Sequence, residues 1–465
     1  MKTVLPNQRA NRYTIDMCNG PIFKKMMLFA VPLVFSGVLQ LFFNAADIIV
    51  VGKFAGDNSL AAVGSTTSLV NLLISIFLGL SVGANVLAGK HWGAKQNDAV
   101  SKTVHTAMSL SLYSGFFLTI IGVFGARQIL IWMQTPGEVL ELAVTYLRIY
   151  FLGTTANMIY NYGAALLRAV GDTKRPFYYL LFAGIVNVVL NLILVIVFKL
   201  GVAGVGLATV ISQVISAVLV LRCLMRESGS IRLVLRKLHF DRESFQQILW
   251  IGLPSGLQGV IFAVSNVVIQ SSVNSFGETV IAGNSAAANL EGFIYLSMVA
   301  FYQTTISFSS QNFGARNYQR INSTFLLAEM CVIVIGLSMG IAMWLSSRQL
   351  LGIYSSSPEV IAAGMIRMKY ICVTYFLCGM MDVTTGALRG IGYSVTPMLV
   401  SLIGACGLRL LWLATVFQQE KYHTVATIYL SYPISWTVTL AVLLLCFTIV
   451  QRKNLRSTSL PLVAF

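Results

Sequence analysis

The sequence predicts an all-α integral membrane protein, with twelve transmembrane helices in two six-helix lobes related by a pseudo-twofold axis along the membrane normal. Three observations carry that expectation. Of 465 residues only 10% are charged and 56% are hydrophobic, whereas a soluble domain carries about 25% charged residues. Twelve long apolar runs are separated by polar connectors. The chain also matches itself when shifted by 221–222 residues.

So few charges do not cover the surface of a soluble protein of this size, and a bilayer solvates the apolar surface that water would not. A spanning helix needs about 20 apolar residues. Runs of that length fall at about 26–51, 60–89, 103–125, 139–166, 176–198, 202–224, 247–271, 281–310, 322–345, 360–388, 396–417 and 424–450. Continuous apolarity with many glycines excludes soluble amphipathic helices, and the lack of strand-like alternation excludes an outer-membrane barrel. No cleavable signal peptide is expected: the first run follows some twenty polar residues and exceeds a signal core.

The net charge of +16 has the distribution of a membrane protein, not of a nucleic-acid binder. With the N-terminus placed inside, 23 of the 32 Lys and Arg residues fall in inner segments and five in outer loops. The outer five are Lys53, Arg127, Lys199, Arg348 and Lys421, while Arg148, Arg367, Lys369 and Arg409 fall within spans. This positive-inside bias places both termini in the cytoplasm, and no nucleic-acid partner is expected.

The repeat places Pro32 on Pro254, Asn44 on Asn266, Pro136 on Pro358 and Pro176 on Pro397. It places Gly93-Ala94-Lys95 on Gly314-Ala315-Arg316, and Leu167-Arg168 with Gly171 on Leu388-Arg389 with Gly392. So many coincidences in one register are a duplication. Five segments follow: an N-terminal segment 1–22, an N-lobe 23–224, a basic connector 225–244 read as solvated loop, a C-lobe 245–451 and a tail 452–465. Parallel repeats of this kind place substrate between halves that rock to expose it alternately.

Polar residues inside the spans mark a bundle interior or a watery cavity. In the first span Ser36, Gln40, Asn44 and Asp47 share one helical face. The fifth carries Asn187 and Asn191 one turn apart, and the seventh Ser255, Gln258, Ser265 and Asn266. The eighth aligns Asn284, Glu291, Tyr295, Met298 and Tyr302; the tenth aligns Tyr375, Cys378, Asp382 and Arg389. Asp47, Glu291 and Asp382 must be paired, hydrated or protonated, because a bare charge in lipid is costly. Burial makes each a candidate reversible proton carrier. Arg148 and Lys369, equivalent in the repeat, are expected to pair acids or snorkel to the outer interface.

An enzyme is not expected. The four histidines lie far apart, no HExxH or GxSxG occurs, and the seven cysteines form no CxxC pair and no expected disulfide. No GxxxxGK[ST] motif is present, so the chain alone is no ATP-driven pump. No metal site or cofactor is expected.

The order of these motifs resembles the multidrug and toxic compound extrusion (MATE) family. Pro32-Leu33, then Leu39-Gln40-Leu41-Phe42-Phe43-Asn44-x-x-Asp47 and Val51-Gly52, is similar to its first helix. Gly93-Ala94-Lys95, Leu167-Arg168-Ala169-x-Gly171-Asp172, Gly314-Ala315-Arg316 and Leu388-Arg389-Gly390-x-Gly392 are similar to its loop signatures. The resemblance implies an antiporter that would export organic, often cationic and amphipathic compounds against inward flow of protons or sodium ions. Compact loops and the inside positivity point to a bacterial plasma membrane, with membrane lipid as partner, and two lobes in one chain lead us to expect a working monomer. Asp47 matches the family's first-helix acid, which binds the coupling cation, and Asn44, Asn187 and Asn191 are expected to share that cation site. Asn187 matches a fifth-helix Asn of the DinF-like branch; where that branch often has Asp, this chain has Asn191. Substrate is expected to meet Gln40, Phe43, Gln258, Asn266, Glu291, Tyr295, Tyr302, Tyr375 and Asp382. The acids would attract a cation and the rings offer it a face. The alternative is a lipid-linked glycan flippase of the same superfamily, which would show a strongly cationic cavity.

Overall fold

A computed structural model of the chain describes residues 13–459. Lys2, Arg9 and Arg12 of the inner-side count, and the tail after residue 459, lie outside the described residues. The chain divides into two compact units, one up to Trp250 and one from Ile251. The first contains α1 (Ile22–Phe54), α2 (Asp57–Gly93), α3 (Asn97–Trp132), α4 (Gly137–Leu152), α5 (Thr154–Ala169), α6 (Lys174–Leu192) and α7 (Gly201–Arg226). α8 (Arg242–Asn274) begins in the first unit and runs into the second. There follow α9 (Glu278–Gly314), α10 (Tyr318–Leu345), the short α11 (Ser347–Gly352), α12 (Pro358–Ile371) and α13 (Tyr375–Gly390). α14 (Val395–Ser401), α15 (Leu408–Ala414) and α16 (Val425–Ser459) complete the fold. With α4 and α5, α12 and α13, and α14 and α15 each counted as one broken span, the described residues form twelve, six to a lobe.

The sequence reads the fourth and tenth spans as continuous, and the structure breaks both at equivalent places. Between α4 and α5 the Phe151 carbonyl accepts from the hydroxyls of Thr119 (2.9 Å) and Thr154 (2.7 Å). Between α12 and α13, bent by 46°, the Thr374 hydroxyl donates to Tyr370 O (2.6 Å) and Ile371 O (3.3 Å). A hydroxyl that takes a helix carbonyl competes with the backbone ladder and bends it. No apolar count registers such a break, because both sides remain hydrophobic.

The duplication is visible in the backbone. Lys95 (φ 58°) and Arg316 (φ 56°) hold the same left-handed turn. Lys95 N–H donates to Trp92 O and Gln96 N–H to His91 O; Arg316 N–H donates to Phe313 O and Asn317 N–H to Asn312 O. Gly171 and Gly392, both at φ 96°, terminate α5 and α13 with matching bonds to Arg168 and Arg389 carbonyls. The loop signatures are therefore helix C-caps whose left-handed residue closes the last turn. At Gly171 an added Cβ would lie 2.3 Å from Ile15 O, while Ile15 N–H donates to Gly171 O at 3.1 Å. Gly171→Ala is expected to cost about 1–3 kcal/mol in backbone strain. It should free the segment around Ile15 from this turn, read as faster proteolysis of the N-terminal segment and a lower thermal midpoint. Unchanged proteolysis would show that the contact holds nothing.

The connector is packed more tightly than a solvated loop. Ile231 and Leu233 bury into the core of the first unit beside Val100 and Val104. Val234 N–H donates to His105 Nε2 (3.2 Å), whose Nδ1 faces Ser101 O at 2.7 Å, and Asp241 N–H donates to Thr106 Oγ1 (3.0 Å). Asp241 then caps α8: Ser244 N–H and its hydroxyl both donate to the carboxylate, which holds it below the usual carboxylate range.

Candidate functional site

In the first unit α1 lies along α6. The Phe43 ring occupies the space left by Gly184, where a Cβ would meet Phe43 Cε2 at 1.8 Å. That contact sets the register of the two helices. Phe43 and Asp47 are one turn apart on α1, and Gly184, Asn187 and Asn191 follow one face of α6. Asp47, half-buried, therefore reaches Asn191, whose Nδ2 donates to Asp47 Oδ1 and, at 3.3 Å, to Asn187 Oδ1. Asn187 and Asn191 are buried, and Asn191 Oδ1 has no hydrogen-bond partner. A π-helical turn, Ile193–Val197, begins two residues after Asn191, a distortion frequent at functional sites.

Asp47 forms no ion pair among the described residues. Its carboxylate, the unsatisfied Asn191 oxygen and Asn187 Oδ1 are hard oxygen donors, the type that suits a proton or an alkali cation rather than a soft metal. Val50, Val51 and Val195 form an apolar cluster beside this group. Of the other expected first-span residues, Gln40 and Asn44 are exposed and Phe43 is committed to packing on Gly184.

The second unit holds a larger polar assembly. Glu291 on α9 does not stand as a free acid. Arg367 of α12 grips it with two bonds, Nε to Oε1 (2.9 Å) and Nη2 to Oε2 (2.7 Å), and donates Nη1 to Asn284 Oδ1 (2.7 Å). Tyr429 of α16 donates to the same Asn284 oxygen (3.0 Å), and Asn284 Nδ2 donates to Gln270 Oε1 (2.9 Å). The expectation that Glu291 offers its charge to a substrate cation is corrected here, since the bidentate pair neutralises it. Arg389 at the end of α13 donates to Tyr302 OH (2.5 Å) and Gln258 Oε1 (2.6 Å), which makes both of those residues its partners. Asp382 is half-buried and in no ion pair among the described residues, and Asn266 is exposed. Tyr295 and Tyr375 lie side by side, ring centroids 6.2 Å apart. Arg148 donates to Val123 O (3.1 Å), and Lys369 lies over the Tyr370 ring.

Several members of this assembly are absent from the sequence expectation. Glu329 on α10 is buried and accepts from Thr384 Oγ1 (2.8 Å). Arg409 on α15 is buried over Tyr432 and Trp436 of α16. The signal was available: Tyr429, Tyr432, Ser435 and Trp436 form a polar and aromatic stripe at helical spacing.

A family profile described as MatE matches residues 32–193 and again 254–415, the two copies of the repeat. The chain belongs to the MatE family. Among relatives of this MATE chain, a probable multidrug resistance protein, YoeA, of Bacillus subtilis (strain 168) is 25% identical over 440 residues, 93% of this chain and 95% of the relative. The multidrug export protein MepA of Staphylococcus saprophyticus subsp. saprophyticus is 24% identical over 375 residues, 80% of this chain and 82% of the relative. The fold matches a solved structure described as the outward-facing conformation of a multidrug resistance MATE family transporter of the MOP superfamily. There the TM-score is 0.89 at 22% identity, over 95% of this chain and 98% of that one. The MATE chain is thus a membrane protein of a multidrug efflux family with small-molecule substrates, and these relatives do not favour the flippase alternative.

Proposed function

We propose that this MATE chain is a cation-coupled antiporter that exports organic, amphipathic and often cationic compounds across a bacterial plasma membrane by alternating access. The observation that carries the reading is Asp47, a half-buried carboxylate fixed by Asn191 and lacking a cationic side-chain partner among the described residues. With both termini inside, as the charge bias directs, Asp47 lies near the outer end of α1. There it takes a proton or a sodium ion, loses its charge and favours the state that releases substrate. Facing inward it gives the cation up and the protein rebinds substrate. Coupling then equals the differential affinity of the two states for cation and substrate. The protein is expected to work as a monomer, because one chain contains both lobes.

The test is efflux of a cationic dye from proteoliposomes holding the purified protein, with a proton gradient or a sodium gradient collapsed in turn. One collapse is expected to stop efflux, and it names the coupling ion. Efflux that is indifferent to both gradients would defeat the antiporter reading.

A further inference from the structure

The interior of the second unit contains more fixed positive charge than its ion pair accounts for. Arg367 is neutralised by Glu291, but Arg389 (4% exposed) and Arg409 (3% exposed) form no ion pair among the described residues. Arg389 is held by Tyr302 and Gln258. Arg409 has less: Nε donates to Ser435 Oγ (2.8 Å), Nη2 has no hydrogen-bond partner, and the guanidinium lies 4.2 Å from the Tyr432 ring centroid and 5.3 Å from that of Trp436. Ring faces offset part of the desolvation of a guanidinium but leave its N–H donors unsatisfied. Asp382 and Glu329, two carboxyls of this interior that form no ion pair among the described residues, are able to discard their charge by taking up a proton. Arginine is not.

An aromatic row leads to this charge. Tyr295 is 40% exposed, Tyr375 is 6.2 Å from it, and Trp436 is 5.4 Å beyond Tyr375. Trp436 and Tyr432 are the rings on which Arg409 rests. We propose that Arg409, at the end of the Tyr295–Tyr375–Trp436 row, is an anion seat that receives the carboxylate of aromatic, amphoteric substrates. The carboxylate accepts from the unused guanidinium N–H, and the aromatic body stacks along the row. This deepens the exporter reading and rests on it: the seat would set the preference for substrates with an acidic group over organic cations that lack one.

A matched pair of dyes tests it in proteoliposomes: a zwitterionic rhodamine with a free carboxylate, and its methyl ester, a cation with the same rings. Wild type should export both. Arg409→Gln should lower the ratio of acid to ester export about ten- to hundredfold, the range of a hydrogen bond to a charged group, and Arg409→Lys should restore part of it. An unchanged ratio in a folded Arg409→Gln protein overturns the seat. If the substituted proteins do not fold, wild type decides: benzoate should inhibit export of the acid and not of the ester, and equal inhibition or none overturns the proposal. Wild-type export of the ester without the acid sinks the seat and leaves the exporter standing. Export of neither dye defeats both readings.

Discussion

Asp47→Asn should leave the protein folded and inserted while uncoupling efflux from its ion gradient. The substitution keeps size and shape, and the Asn oxygen still accepts from Asn191 Nδ2, so the α1–α6 contact around Phe43 and Gly184 persists. What is lost is the one group here that gains and loses charge. If Asp47 carries the coupling, its removal forfeits a coupling free energy of about 1–3 kcal/mol, a 5- to 150-fold loss in the effect of the cation on substrate affinity, and gradient-driven efflux should fall with it. The measurement is dye efflux from proteoliposomes at matched protein content, wild type beside Asp47→Asn, with thermal midpoints recorded for both. Normal gradient-driven export by the Asn protein would move the coupling role elsewhere, and the unpaired carboxyls of Asp382 and Glu329 would be the next to test. A midpoint fall as large as the transport defect would mark Asp47 as a helix-packing residue instead.

The sequence makes the twelve spans, the duplication and the place of Asp47 legible because each is a matter of local composition or periodicity. Lipid demands long apolar helices, and a copied chain keeps its caps: the left-handed Lys95 and Arg316 are visible in the sequence as two Gly-Ala-basic triplets. The polar faces that carry Asp47 and Asn191 are legible as well, though not the contact between them. Partnership in the second unit is not. Arg367 stands 76 residues from Glu291, and nothing in spacing distinguishes it from the neighbouring Lys369, which the repeat aligns with Arg148. Reading Glu291 as a lone acid treats charge as a property of a residue, whereas in a low-dielectric interior it belongs to the pair. The broken spans fail for a related reason. At the breaks beside Phe151 and Thr374 hydroxyls take helix carbonyls, and hydropathy does not record which carbonyl a threonine takes.

Glu291→Ala should be among the most damaging single substitutions to the second unit. It removes both acceptors of the Arg367 fork and leaves a guanidinium that is 12% exposed, unable to deprotonate, hydrogen-bonded to Asn284 alone and otherwise resting near the Tyr429 and Tyr432 rings. Removing one partner of a buried pair costs about 3–5 kcal/mol, mostly as the penalty of the charge left behind. The same argument predicts rescue. Glu291→Met with Arg367→Met together removes both charges and fills similar volume, so the double variant should recover most of the loss, and the cycle should show strong non-additivity. Denaturation in mixed micelles of wild type, Glu291→Met, Arg367→Met and the double variant closes the cycle, with Glu291→Ala measured beside them. A Glu291→Ala loss under about 1 kcal/mol, the range of a solvent-exposed pair, would mean that water reaches Arg367. The pair would then belong to an open cavity, and Glu291 would regain its claim as a substrate contact. Glu291→Gln separates the roles once more: it keeps one acceptor for the fork and removes the charge. Normal export of an organic cation by that protein would assign Glu291 to holding α9 against α12, and leave recognition to the rings and to the arginines that have no acid.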